Sequence, residues 1–247
     1  MRDLTKCELF HGDCLDLMKN IPKKSIDLIL CDLPYGVTRN RWDRNIPLEP
    51  LWEEYKRIIK DNGAIVLFSQ GMFTAQLLNS NPKMWRYNLV WDKVLPSGFL
   101  NANRRPLSSH EDICVFYKKL PTYNPQKIIG NKNHSKGKSK VNANNNYGDF
   151  NFVDNSELLG EMKMPKSILT FPKPHPSTAV HPTQKPTELL EWIIKTYTNE
   201  DDMVLDNCMG SGSTGVAALK LNRSFIGMEL EDKYFNIAKE RIENITG

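Results

Sequence analysis

Asp32-Leu33-Pro34-Tyr35-Gly36 follows the apolar run Ile26–Cys31 and brings a carboxylate, a backbone carbonyl and an aromatic ring into one short segment. These are the groups that activate an exocyclic amine on a nucleobase. Such an amine is a poor nucleophile because its lone pair is delocalised into the ring. Two acceptors aimed at its two hydrogens draw the nitrogen towards tetrahedral geometry and expose the lone pair. Asp32 can supply one acceptor through its carboxylate and Leu33 the other through its carbonyl. Pro34 biases Leu33 to an extended conformation and brings no competing N–H. Tyr35 offers a flat face on which an extruded base can stack, and Gly36 lets the chain turn away. A strand end with a proline turn would read the same way, so placement matters. Asp32 closes a candidate buried strand, and α/β sheets bind ligands outside the carboxyl ends of their strands.

A second segment sits near the other end of the chain. Met203-Val204-Leu205 is strand-like and ends on Asp206, with Gly210, Ser211, Gly212, Ser213 and Thr214 behind it. Glycines there let the backbone approach a ligand before a helix begins at about Thr214 or Gly215. The next strand, Phe225-Ile226-Gly227-Met228, ends on Glu229, placed to accept hydrogen bonds from ribose hydroxyls. The loop reads Gly-Ser-Gly-Ser-Thr and lacks the third glycine of G-x-G-x-x-G. That favours a nucleoside cofactor without a pyrophosphate, such as S-adenosylmethionine. A strand–turn–helix with glycines for tightness alone is the plainer alternative, and Glu229 in register argues against it.

The elements that must position these loops alternate between strand and helix patterns. Strands are expected at Cys7–Phe10, Ile26–Cys31, Ala64–Phe68, Tyr87–Trp91, Ile113–Tyr117, Met203–Leu205 and Ser224–Met228. Leu48, Leu51, Trp52, Tyr55, Ile58 and Ile59 mark one face of a helix, with Gly63 placed to stop it. Further helices are expected at Cys14–Ile21, Met72–Leu78, from Pro186 through Tyr197, Gly215–Leu221 and Tyr234–Ile245. The pattern predicts an α/β fold with a doubly wound, mostly parallel sheet. Residues 120–177 lack periodicity over a stretch too long for an ordinary loop. They are read as an insertion between a first half, 1–119, and a second, 178–247.

Composition narrows the class further. A chain of 247 residues with 40% apolar content can bury one large core. No apolar run approaches the length of a bilayer span, and the first residues form no signal-peptide pattern, so a cytoplasmic protein with no membrane partner is expected. The five cysteines are odd in number and show neither zinc spacing nor a disulfide framework, which fits a reducing compartment. The histidines are scattered without paired ligand spacing, so no metal is expected. Net charge is only +4, yet Lys118–Lys140 carries seven lysines and no acidic residue. Such a segment is either a solvated surface or a phosphate-contacting one. Ser109-His110-Glu111-Asp112 has the residue types of a hydrolase cluster but not the nucleophile turn.

Taken together, these segments resemble the β class of amino DNA methyltransferases. Asp32-Leu33-Pro34-Tyr35 resembles the catalytic Asp-Pro-Pro-Tyr motif, and Asp206–Thr214 the Asp-Pro-Phe-x-Gly-Ser-Gly-Thr-Thr cofactor loop. His181-Pro182-Thr183-Gln184-Lys185-Pro186 matches almost literally the segment that opens the preceding helix, and Gly12-Asp13-Cys14 resembles a short acidic motif near the cofactor adenine. The resemblance spans residues 7–118 and 178–245, with target recognition between them. It implies a Rossmann-like methyltransferase fold and a catalytic set of Asp32, Leu33, Pro34 and Tyr35. Cofactor contacts are implied at Asp13, Asp32, His181, Thr183, Gln184 and Lys185, and around Asp206, Cys208 and the Gly210–Thr214 loop to Glu229. Leu33 keeps a carbonyl where the family has its first proline. Asn207-Cys208 replaces Pro-Phe and removes an aromatic face.

The implied activity is site-specific transfer of a methyl group to adenine N6 in double-stranded DNA by base flipping. Adenine is preferred to cytosine N4 because cytosine enzymes more often begin the motif with Ser. The family's loops near the site make Arg104 and Arg105 candidate DNA contacts, and a second copy of the chain and a cognate restriction endonuclease are further partners to consider. Two other classes stay open. A nicotinamide-dependent oxidoreductase would need the third glycine and leaves Asp-Leu-Pro-Tyr idle. A catalytically silent DNA-binding module would be expected to have lost Asp32 or Tyr35. If the insertion tracks phosphates, neutralising Lys132, Lys136, Lys138 and Lys140 together weakens DNA binding. It should flatten the log–log salt dependence by about 0.9 per lost contact on duplex DNA. An unchanged slope would make these lysines a solvated surface.

Overall fold

A computed structural model describes residues 6–36, 45–130, 162–174 and 184–246. At its centre lies β2 (Ile26–Cys31), in which every residue except Asp27 is buried. An apolar run of this kind is stable only with both faces covered. Leu28 and Leu30 pack on one side with Val66, Phe68 and Ile193, while Ile29 and Cys31 pack on the other with Ile65, Leu67 and Tyr55. This two-residue alternation divides the interior into two cores.

The other strands are β1 (Cys7–His11), β3 (Ile59–Ser69), β4 (Trp85–Ser97), β5 (Ser108–Phe116), β8 (Ile168–Thr170), β9 (Met203–Asp206) and β10 (Ser224–Glu229). With β2 they form an eight-stranded sheet in the order β1-β10-β9-β2-β3-β5-β4-β8. Only the β3/β5 and β4/β5 pairings are antiparallel. One core takes residues from α1 (Cys14–Met18), α2 (Leu48–Ile58) and α3 (Met72–Ser80), and the other from α4 (Thr187–Tyr197), α5 (Ser213–Lys220) and α6 (Asp232–Thr246). The buried face of α2 is Leu51, Trp52, Tyr55 and Ile58, as its spacing predicts. The doubly wound α/β class is thus the observed one. The direction of winding reverses between β9 and β2, and this reversal creates a crevice at the carboxyl ends of those strands.

Some local expectations change. Gly63 does not end α2. The helix stops at Ile58, and Ile59 is already extended and paired with Ile26. Gly63 lies inside β3, where an added Cβ would sit 2.8 Å from the Asp27 carbonyl oxygen. Its absent side chain serves strand packing beside a register shift between Ile26 and Leu28. The expected insertion, residues 120–177, contains a compact unit of its own. Chain compaction separates Pro125–Lys166 as a second unit and returns both flanks to the first. On one flank Asn124 donates from its backbone to the Thr196 carbonyl. On the other, β8 pairs with β4; three residues of strand are too few for periodicity to reveal. Within the second unit, β6 (Ile128–Ile129) pairs antiparallel with β7 (Met162–Lys163).

Close packing behind the Gly-rich loop gives a stability test. A Cβ on Gly215 of α5 would lie 2.6 Å from Phe225 Cε1 and 2.7 Å from Ile242 Cδ1. Gly215→Val should therefore destabilise the fold by about 1–3 kcal/mol through overpacking. The measurement is a lowered denaturant midpoint with an unchanged slope. An unmoved midpoint would mean that α6 can yield at no cost.

Candidate active site

Three neighbouring strands, β10, β9 and β2, end on or just before Glu229, Asp206 and Asp32. Their ends open into a cavity of about 580 Å³ lined by Gly12–Leu15, Asp32–Tyr35, Asn45–Pro47, Gln70, Glu111, Gln184, Lys185, Leu190, Asp206–Ser211, Ser213, Thr214, Glu229, Leu230 and Tyr234. The volume is typical of a small-molecule site. The two chemically distinctive segments, from opposite ends of the chain, thus share one cavity.

On the Gly-rich side, Gly210 (φ +51°) and Gly212 (φ +77°) hold left-handed conformations that a side chain would strain. Glu229 braces this loop: its Oε2 accepts from the Gly210 N–H at 2.8 Å and its Oε1 from the Glu231 N–H at 2.9 Å. With about four lone-pair sites on its two oxygens, the carboxylate keeps acceptor capacity for a ribose hydroxyl beyond these backbone bonds. Burial pushes the Glu229 carboxyl above its ordinary range, against the pull of these backbone bonds. Asp206, only 3% exposed, is pushed up to about 6 by burial, opposed by bonds from the Thr214 side chain and the Cys208 N–H. It too organises the loop, with Oδ1 3.1 Å from the Cys208 nitrogen. Asp13 caps α1, accepting from the Leu15 N–H at 2.8 Å. From behind, the Arg241 guanidinium donates to the Ser211 carbonyl and to the Ser213 hydroxyl.

The Asn207-Cys208 pair has a structural role of its own. Tyr55 donates its hydroxyl to Asn207 Oδ1, and Asn207 Nδ2 lies 3.5 Å from both the Cys14 and the Cys208 sulfurs. Where the family motif has Pro-Phe, this chain builds a small buried polar knot. Burial is the main cause that pushes the Cys31 thiol in the same region up to about 12, so it stays protonated.

On the opposite side Tyr35 donates its hydroxyl to Asp32 Oδ1 at 2.7 Å and stacks on Phe73 with centroids 4.9 Å apart. Tyr35 lines the cavity and Phe73 does not. The Leu33 side chain is buried in the core and anchors the segment. Lys185 donates to Asp32 Oδ2 at 2.5 Å and lies 3.3 Å from Glu111 Oε2. Burial pushes the Asp32 carboxyl above its ordinary value; Lys185 opposes the rise and Glu111 adds to it. Burial works against the charge on Lys185, but the two carboxylates more than offset it and raise its pKa.

The structure therefore brings together Asp13, Asp32–Tyr35, Gln184, Lys185, Asp206, Cys208, the Gly210–Thr214 loop and Glu229. Lys185 borders the cavity and its ammonium donates to Asp32. Arg104 and Arg105 are exposed in the turn between β4 and β5 and do not line the cavity. His181, Thr183, Lys132, Lys136, Lys138 and Lys140 lie outside the described residues. The structure adds Glu111, Lys93, Tyr55, Asn207 and Tyr234, none of which the motifs assign to the site. The His-Glu pair at the start of β5 was visible, but nothing local said that it would face Asp32. No group of acidic, His or Cys side chains suited to a metal ion occurs among the described residues.

A doubly wound sheet with its cavity at the switch point defines a nucleotide- or nucleoside-binding α/β protein. Residues 26–240 match the DNA methylase family of N6 and N4 enzymes, and the chain belongs to that family. The type II methyltransferase M.BglII of Bacillus subtilis is 30% identical over 264 residues, spanning 94% of this chain and 67% of that protein. The DNA adenine methyltransferase YhdJ of Escherichia coli (strain K12) is 27% identical over 251 residues, with 95% and 82% covered. The crystal structure of the M1.HpyAVI–SAM complex superposes with a TM-score of 0.64 at 27% identity, covering 96% of this chain and 98% of that one.

Glu229 yields the test of the Gly-rich side. Glu229→Ala is expected to weaken S-adenosylmethionine binding by about 1.5–3 kcal/mol, the range for a hydrogen bond to a charged group. Glu229→Gln, which keeps an acceptor for the Gly210 N–H, should lose less. Calorimetry giving wild-type affinity for the Ala variant would move the ribose contact to another residue.

Proposed function

We propose that this DNA methyltransferase transfers a methyl group from S-adenosylmethionine to the N6 amine of adenine in double-stranded DNA, after the base is flipped into the cavity. The observation that carries the reading is the shared cavity, lined by the Asp32 carboxylate and Tyr35 together with a glycine loop braced by Glu229. The cavity's charge suits this cofactor. Asp13, Asp32, Glu111, Asp206 and Glu229 line it, against Lys185 as the one cation among the described lining residues. A pyrophosphate would meet repulsion there, which disfavours a nicotinamide dinucleotide, whereas a sulfonium carries positive charge. The solved relative in complex with SAM and the adenine named for YhdJ support the cofactor and the base.

Bound S-adenosylmethionine supplies an electrophilic methyl group. The protein's part is to place and polarise the amine. Asp32 Oδ1 and the Leu33 carbonyl take its two hydrogens, and the lone pair then points along the line of attack. Tyr35, backed by Phe73, presents a fixed platform for the base. Stacking there offsets part of the few kcal/mol that extrusion costs. We assign target recognition to the insertion containing the Pro125–Lys166 unit. Phosphate contact falls to its lysines and to Arg104 and Arg105, since such contacts position a protein on DNA without reading sequence. All five cysteines are free thiols, in keeping with a reducing cytoplasm. No helix among the described residues is long and apolar enough to cross a membrane. The type II name of M.BglII makes a cognate restriction endonuclease the partner to seek, alongside self-association measured by sedimentation.

Nucleoside mass spectrometry of DNA treated with the protein should show N6-methyladenine; N4-methylcytosine would move the reading to the other amine of the family. Asp32→Ala should lower the rate of methyl transfer by about 10²–10³-fold or more, the scale for removing one preorganised polar group at a reacting centre. S-adenosylmethionine should still bind. Near-normal turnover in this variant would mean that the amine is not held by Asp32.

A further inference from the structure

We propose that Lys185, Glu111 and Lys93 are positioning residues that hold the Asp32 carboxylate as an oriented anion facing the target amine. This rests on the function proposed above. The four side chains form an alternating series of charges. Lys93 Nζ lies 3.3 Å from Glu111 Oε1, Glu111 Oε2 lies 3.3 Å from Lys185 Nζ, and Lys185 Nζ lies 2.5 Å from Asp32 Oδ2. They come from four separate places: β4, β5, the segment before α4, and the end of β2. Two ammoniums and two carboxylates cancel. The series is anchored at its far end, where Lys93 donates to Ser97 Oγ at 3.2 Å and Ser97 Oγ donates to the Ser108 carbonyl.

Burial argues that this arrangement serves function. The side chains of Lys93, Lys185 and Glu111 are 2%, 8% and 14% exposed. Buried ion pairs seldom improve stability over well-packed apolar side chains. The Phe68 and Trp91 rings, 4.9 and 5.8 Å from Lys185 Nζ, wall the ammonium in and attract it by cation–π interaction. Lys185 is therefore held at Asp32. With Oδ2 fixed by Lys185, the carboxylate plane cannot rotate, and Oδ1 is left towards Tyr35 and the cavity. Asp32 keeps a quarter of its side-chain surface exposed.

The charge of Asp32 depends on the same neighbours. From its own segment it faces Cys31 and Tyr35, from β5 Glu111, from β9 Asp206, and from the segment before α4 Lys185. Burial and the other carboxylate favour a proton on Asp32, and a protonated Asp32 is a weaker acceptor for the amine. Lys185 opposes that. The two neighbours thus push in opposite directions. Removing Lys185 should raise the Asp32 pKa and move the acid limb of the activity profile to higher pH. Removing the charge of Glu111 should lower it and move that limb to lower pH. A purely structural role would cost stability and leave the acid limb of turnover where it is, even though the Asp32 midpoint moves.

The experiment is a carboxyl-carbon NMR titration of Asp-labelled protein, with Asp32→Asn assigning the signal, on wild type, Lys185→Met, Lys185→Arg and Glu111→Gln. Single-turnover methyl transfer at saturating cofactor and DNA is then measured against pH. The Asp32 midpoint should rise by about one pH unit in Lys185→Met, a tenfold change in the ionised fraction on the acid side. It should fall in Glu111→Gln and stay near wild type in Lys185→Arg, and the acid limb of turnover should follow. Midpoints that do not move, or that move the same way in Lys185→Met and Glu111→Gln, overturn the proposal. If Lys185→Met does not fold, Glu111→Gln and Lys185→Arg decide by the same midpoints. Opposed midpoints in a protein that methylates no DNA would instead leave the array standing and refute the proposed function.

Discussion

The parallel pairing of β2 with β9 is the constraint on which the rest of this protein depends. Leu28 lies opposite Val204 and Ile29 opposite Leu205, so two segments far apart in sequence end side by side at the same edge of the sheet. Asp27 secures the other end of the pair. Its Oδ2 accepts from the Met203 N–H at 2.9 Å, and both of its oxygens lie 2.7 Å from Lys60 Nζ. Slipping one strand by a residue would turn each apolar side chain to the opposite core and separate Asp32 from Asp206. The buried faces thus set the register, and the register sets the site.

A cavity lined by several carboxylates in a largely apolar interior would be unfavourable if each carried an unsatisfied charge. The structure meets this carboxylate by carboxylate. Asp206 and Glu229 accept backbone N–H groups of the very loops they shape. Asp13 caps a helix. Asp32 and Glu111 share Lys185. Asp13, Asp206 and Glu229 therefore both stabilise local backbone and present negative charge to the cavity. This double use explains how a loop of small residues keeps a defined shape without large side chains of its own.

The family's aromatic residue in the cofactor loop is replaced here by Cys208, and the surroundings have changed with it. Asn207 links Tyr55 to the Cys14 and Cys208 sulfurs, joining α2, the start of α1 and the cofactor loop. The cofactor side is thereby tied to the core that also holds Leu33. A displacement on one side of the cavity is resisted by the same packing that fixes the other.

Much of this was legible in the sequence. Periodicity located β2, the buried face of α2 and the extent of α4, because burial on both faces of a sheet leaves few other patterns. The Asp-Leu-Pro-Tyr and Gly-Ser-Gly segments announced themselves because their chemistry depends on neighbours in the chain. What local pattern could not reveal was any partnership across elements. Gly63 looked like a helix stop because its role in β3 depends on Asp27 of the adjacent strand. β8 was too short to show a period and exists through its pairing with β4. Nothing local in the sequence says that Lys93, Glu111 and Lys185 line up with Asp32. Sequence determines what each residue can do by itself and beside its neighbours. Only the tertiary structure decides which charges meet, because the field at Asp32 is made by side chains from four separate segments.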